Sequence, residues 1–168
     1  MKNNSALFYT CSLIEFIGRQ QKLPRCEVVR ALGEKAIARI YAYADVFHCE
    51  PIEKTADDFI TMREVPVGDF DNVGACRYTV PDYWTIGEVY ARLIEDVCGD
   101  DEAQIIPRLI EVYTSWIDAA ISNYNTDFYY QSRDYIYACY ELARSARETA
   151  PAGEIASGLS FLRRRNLR

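Results

Sequence analysis

The chain holds one histidine, His48, among 168 residues, and that scarcity removes most chemistry built on an imidazole. A serine or cysteine nucleophile paired with a histidine base would have to use His48. Its neighbour Cys49 points about 100° away around a helix, the wrong geometry for such a pair. Phosphate-cradling glycine loops are missing as well: neither GxxxxGK[ST] nor GxGxxG occurs, and Gly68 and Gly74 stand isolated. No apolar run approaches the ~18 residues that span a bilayer. The stretch from Ala6 to Ile17 is interrupted by Ser12 and Glu15, with no small-residue cleavage site after it, so the expected location is cytoplasmic.

Paired cysteine motifs are also lacking. Cys11, Cys26, Cys49, Cys76, Cys98 and Cys139 are separated by 15, 23, 27, 22 and 41 residues, with no CxxC among them. They read as reduced, mostly buried small hydrophobes rather than a disulfide framework or a zinc site. Asp69, Asp71 and Asn72 resemble half of a calcium loop without its glycine and distal glutamate. The expectation is therefore no metal and no cofactor.

What is present is ordinary for a folded protein: 49% hydrophobic and 26% charged residues, enough apolar surface for a core. Tyrosine is abundant, with 13 copies, and the formal net charge is −6. Between residues 65 and 160 sixteen acidic side chains face six basic ones. Such a surface repels a phosphate backbone, so nucleic acid is not expected as a partner. The helix–glycine–helix shape of residues 25–43 does not change this, because its second helix reads Glu34-Lys35-Ala36-Ile37-Ala38-Arg39: an acid leads it, and its exposed face is short and mixed in charge.

Hydrophobic periodicity points to an all-α fold, either two small helical lobes or one irregular bundle. Asn4 or Ser5 caps a first helix to about Gln21. Pro24 opens a short helix ended by Gly33, a third runs from Glu34 to Phe47, and Pro51 begins a fourth to Met62. These make an N-terminal lobe, 1–63. Residues 64–84 lose the helical period and carry turn residues at Asp69-Phe70-Asp71-Asn72, with strand-like flanks that allow a short β-hairpin at 65–80. A C-terminal three-helix lobe, 85–147, follows: Thr85 to Val97, then two long helices at about 101–124 and 127–147 joined by Asn125-Thr126-Asp127. Pro107 either kinks the first of those or marks its true first turn. Residues 148–168 form a basic tail rich in small residues.

The residues left over from core patterning suggest two kinds of site. Tyr83, Trp84, Tyr129 and Tyr135, with Phe161, Arg163, Arg164 and Arg165 of the tail, suit a protein partner, since tyrosine gives contact area at low entropy cost. In the last helix Tyr130, Tyr137 and Tyr140 fall near one face, which assigns some of them to the core and leaves Tyr129 and Tyr135 partly exposed. The alternative site is the 65–84 loop, with Asp69, Asp71, Asn72, Arg77 and Tyr83 as candidates for an enzyme of unrecognised type.

Leu13-Ile14-Glu15-Phe16-Ile17, the run Arg25 to Gly33, Ile40-Tyr41-Ala42-Tyr43-Ala44-Asp45-Val46 and Asp57-Asp58-Phe59-Ile60 carry a resemblance. Over residues 7–63 the chain is similar to a small helical domain family of unknown function from gut-type Firmicutes, some members of which lie near toxin–antitoxin-like gene pairs. The resemblance implies a bacterial protein that acts on another protein. The resulting expectation is a protein–protein interaction module, antitoxin-like, whose partner is a toxin encoded nearby; the other readings are the loop-site enzyme and a homo-oligomeric structural protein.

Overall fold

A computed structural model describes residues 4–149. Eight α-helices account for its regular structure together with short 3-10 turns, and no strand occurs among the described residues. The helices are α1 Ser5–Gln21, α2 Arg25–Ala42, α3 Ala44–Phe47, α4 Ile52–Arg63, α5 Tyr83–Cys98, α6 Ile105–Tyr113, α7 Ile117–Ser122 and α8 Arg133–Thr149. None is long and apolar enough to cross a membrane.

Local chemistry explains most of the boundaries. The Asn4 side chain accepts from Leu7 N at 2.9 Å and starts α1; Asp82 does the same for Thr85 N at 2.6 Å and starts α5. Such caps satisfy N–H groups that have no partner inside the helix. Gly99, at φ 64°, ends α5 in the left-handed region that glycine tolerates best. Gly33, at φ 79°, breaks α2 sharply, yet helix resumes at once and runs on to Ala42. The separate helices expected on either side of Gly33 are thus two segments across one kink, with the second ending five residues early and α3 taking up its end.

The long helix expected at 101–124 is not continuous. Asp101 caps a 3-10 turn, Glu102–Gln104, and Pro107 falls in the first turn of α6. At Thr114 and Ser115 both hydroxyls turn back onto the preceding helix, Thr114 Oγ1 to Ile110 O and Ser115 Oγ to Val112 O, each at 2.7 Å. Side chains that compete in this way for backbone acceptors favour a break, and α7 begins afresh at Ile117. The 127–147 helix is corrected similarly: residues 128–130 form a 3-10 turn and α8 starts at Arg133.

The hairpin at 65–80 is absent. The loop is held against the helical body and by a tight internal turn: Gly68 N donates to Gln21 O at 2.8 Å, Phe70 N to Lys22 O at 2.9 Å, and Ala75 N to Asp71 O at 3.1 Å. Gln21 Nε2 donates to Val65 O at 3.0 Å, and Arg77 N to Asn125 Oδ1 at 2.8 Å. These bonds satisfy several of its carbonyls and amides without strand pairing.

The described residues fall into two compact units, divided between Tyr130 and Gln131. Within the first, α1 packs most extensively along α5, α2 lies against α1 and α6, and α5 against α6. Helices before and after the loop thus share one core, built on Leu7, Cys11, Ile14, Ile17, Val28, Leu32, Ile86, Tyr90, Leu109 and Tyr113. Tyr90 and Tyr113 stack with ring centroids 4.1 Å apart. The α1–α5 approach is tight at Gly87, where an added Cβ would lie 2.8 Å from the Ser12 backbone. In the second unit, α8 is amphipathic, with Ile136 and Tyr140 buried and Leu142 exposed. Tyr140 is buried as expected, whereas Tyr130 is 66% exposed, so it is a surface residue rather than core. The 3-10 turn at 128–130 removes it from the helical register on which the core assignment rested.

Candidate functional site: an acid-rimmed cleft over a buried arginine

Three segments surround an open cleft of about 730 Å³: the α1–α2 junction at 22–27, the loop at 68–75, and α7 with its exit at 118–123. The junction is shaped by Lys22, which adopts φ 54° and turns the chain so that Leu23 N donates back to Gly18 O. The loop lies directly on this turn because residue 68 is glycine; a Cβ there would sit 2.6 Å from Lys22 O. Asn72 Nδ2 donates to Ser122 O at 3.0 Å and closes the far wall. Leu23, Pro24, Phe70, Ala75 and Ala119 supply apolar lining, while Glu27, Asp69 and Asp71 supply carboxylates. Lys22 pairs with Asp71 at 3.2 Å. Asp71 also accepts from Gly74 N at 2.8 Å, and that bond first, then Lys22, lowers its pKa.

Behind one wall lies a buried ion network centred on Arg25, whose side chain is 3% exposed. Its Nη1 donates to Glu15 Oε2, its Nε to Asp118 Oδ1 at 2.9 Å, and its Nη2 to Ser122 Oγ at 2.7 Å. Tyr90 OH donates to Asp118 Oδ1 and Tyr124 OH to Glu15 Oε1, both at 2.6 Å. Arg19 adds a second cation, with Nε on Glu15 Oε1 at 2.8 Å and Nη2 on Pro81 O at 2.7 Å. Two arginines thus balance two carboxylates, the arrangement a buried charge requires. Burial alone would raise the pKa of Glu15; Arg25, Arg19 and the Tyr124 hydrogen bond outweigh it and leave the carboxyl below its ordinary value. Burial likewise works against the charge on Arg25, but Glu15 chief among its partners holds its pKa well above the usual arginine value.

The network and the cleft meet at Asp118 and Ser122, which belong to both. Cys26 also lines the cleft. Burial raises its pKa, and nearby Asp118 adds to the rise, which disfavours the thiolate needed for nucleophilic attack.

Of the loop residues expected from sequence, Asp69, Asp71 and Asn72 converge on the cleft. Arg77 does not line it; its backbone is held by Asn125. Tyr83 lies elsewhere, edge-on to Phe16 at 5.2 Å, in a cluster that continues through Trp84 to Phe8 at 5.5 Å and to His48 at 5.9 Å. Tyr83 and Trp84 are therefore half-buried packing residues. His48, exposed, is stacked on Trp84. Tyr129 stands edge-on to both Tyr124 and Tyr130, at 5.6 and 5.0 Å. Tyr135 is 47% exposed on α8. Phe161, Arg163, Arg164 and Arg165 lie outside the described residues. Among the described residues no group of three potential ligands is placed to hold a metal ion.

Sequence reasoning missed Arg25, Glu15, Asp118 and Ser122. The available signal was a charge set within apolar runs: Glu15 between Ile14 and Phe16, and Asp118 between Ile117 and Ile121. A comparison with protein-family models, with curated proteins and with solved structures finds no match to the chain.

Proposed function

We propose that this chain is a protein–protein interaction module whose working surface is the 22–27/68–75/118–123 cleft. The observation that carries the reading is the construction of that cleft: an apolar lining with acidic side chains, on a loop fixed by backbone hydrogen bonds to rigid helices. A receptor held in shape before contact avoids the ordering cost that weakens a flexible one. Exposed Tyr78 and Tyr130, 71% and 66% accessible, extend the same unit's surface with residues suited to protein contacts. The resemblance of residues 7–63 favours a bacterial setting and the neutralising, antitoxin-like role against a toxin. Affinity purification of the tagged full chain from cells that naturally make it should return one stoichiometric partner, and co-expression should relieve that partner's toxicity. A chain that elutes alone, as a monomer or a homodimer, counts against the reading.

A second reading, a small-molecule enzyme at the same cleft, is favoured by the convergence of Asp69, Asp71 and Asn72 and by a volume within the ~300–1,000 Å³ range of ligand pockets. Turnover of a small molecule that is lost in Asp69→Asn but retained in Asp45→Asn would favour it.

A further inference from the structure

The interaction reading leaves open what the cleft holds, and its charges narrow the answer. Glu27 and Asp69 are exposed on the cleft, and neither has an ion-pair or side-chain hydrogen-bond partner among the described residues. Asp71 is already matched by Lys22, and the interior network is balanced, so these two carboxylates set the sign of the cleft. A second, independent feature is Asp118. Its side chain is only 7% exposed yet contributes to the cleft wall. Oδ1 takes both Arg25 Nε and Tyr90 OH, while Oδ2 has no partner among the described residues. Ser122 Oγ accepts from Arg25 Nη2, which leaves its own proton available. A solvent-reachable carboxylate oxygen on an otherwise buried, oriented side chain, beside a hydroxyl whose proton is available, is an acceptor–donor pair ready for a ligand group, and it sits next to apolar lining.

We infer that the cleft holds a basic–apolar segment of the partner protein, resting on the interaction reading above. A large apolar side chain covers Leu23 and Phe70; an arginine or lysine is held between Glu27 and Asp69; a donor from the segment reaches Asp118 Oδ2. Charge complementarity selects such a segment and rejects an acidic one.

The test is a titration of the full chain with a fluorescein-labelled Phe-Leu-Arg-Arg-Arg peptide, read by anisotropy, with Phe-Leu-Glu-Glu-Glu and Gly-Gly-Arg-Arg-Arg as comparisons. Saturable binding is expected for the first alone. It should weaken about tenfold in the Glu27→Gln/Asp69→Asn chain, the scale of two lost surface charge contacts. Both positions are exposed and unpaired, so that variant should melt as wild type does. Glu34→Gln/Asp45→Asn, with the same change in net charge away from the cleft, should bind as wild type. Equal binding of the acidic or glycine peptide, or equal loss in both variants, would overturn the inference. So would tighter binding by a full chain carrying Phe161→Ala and Arg163→Ala, which would make the chain's own end the occupant. Capture of one partner equally by wild type and by Glu27→Gln/Asp69→Asn would sink this inference while leaving the interaction module intact; failure to capture any partner would sink the module reading itself.

Discussion

Replacing Arg25 by methionine removes the cation that ties α2 to α1 and α7. The substitution keeps most of the side chain's volume, so packing changes little and charge dominates. Glu15 would retain Arg19 and the Tyr124 hydroxyl, but Asp118 would keep only Tyr90 as a donor. Breaking a buried pair on one side typically costs about 3–5 kcal/mol, because the remaining charge is stranded. In a chain of this size that corresponds to a melting point lower by about 6–20 °C. The pH dependence should also flatten. In wild type the Glu15 pKa is lowered on folding, so its contribution is complete above the unfolded value of about 4.3 and is lost as pH falls through the lower folded value. In Arg25→Met only Arg19 and the Tyr124 hydroxyl still offset burial, so the folded value moves up toward the unfolded one and the contribution of Glu15 shrinks. Stability of that variant should therefore fall less steeply than that of wild type as pH drops below about 4.3. Urea denaturation followed by circular dichroism at several pH values measures both effects. A loss under about 1 kcal/mol with the wild-type pH slope would show that the network is not the electrostatic keystone described here. The double variant Arg25→Met/Asp118→Asn should recover part of the loss, since the remaining Glu15 and Arg19 balance each other.

Gly87→Ala should cost about 1–3 kcal/mol by forcing α5 away from Ser12, whereas Gly99→Ala, with nothing near the new methyl group, should cost about 1 kcal/mol from its positive φ alone; thermal melts of the two separate crowding from backbone strain. Cys11, fully buried and with a thiol pKa pushed up to about 12 by burial, should resist iodoacetamide until the chain unfolds, while exposed Cys49 is alkylated in the native state; rapid native labelling of Cys11 would contradict the packing of α1. Asn125→Ala removes two anchors of the loop, to Arg77 N and Ala75 O, and should speed amide exchange at residues 75–78 with a global stability change of only about 1–2 kcal/mol.

Where the fold was legible, a single residue carried the signal. Asn4 caps a helix because its short side chain reaches back to an N–H, and Pro107 occupies a first turn where its missing N–H costs nothing. Other chain reversals left no such mark: α1 and α4 end at Lys22 and Glu64, both at positive φ without glycine, and tertiary contacts overrode local preference there. The loop's Asp69, Asp71 and Asn72 were found from composition, but its pairing to Gln21, Lys22 and Asn125 was not, because backbone hydrogen bonds carry no sequence signature. The Arg25 network was illegible for a related reason: its partners Asp118, Ser122 and Tyr124 lie 93, 97 and 99 residues away, and only the assembled helices bring them together.

Hydrogen exchange of the full chain, free and bound to its captured partner, puts the interaction surface to the most direct test. Protection should appear at residues 22–27, 68–75 and 118–123 together, because these three segments wall one cleft. A footprint confined to the exposed tyrosines Tyr78 and Tyr130, or to α8, with the cleft amides unchanged, would contradict the cleft as the place where the partner binds.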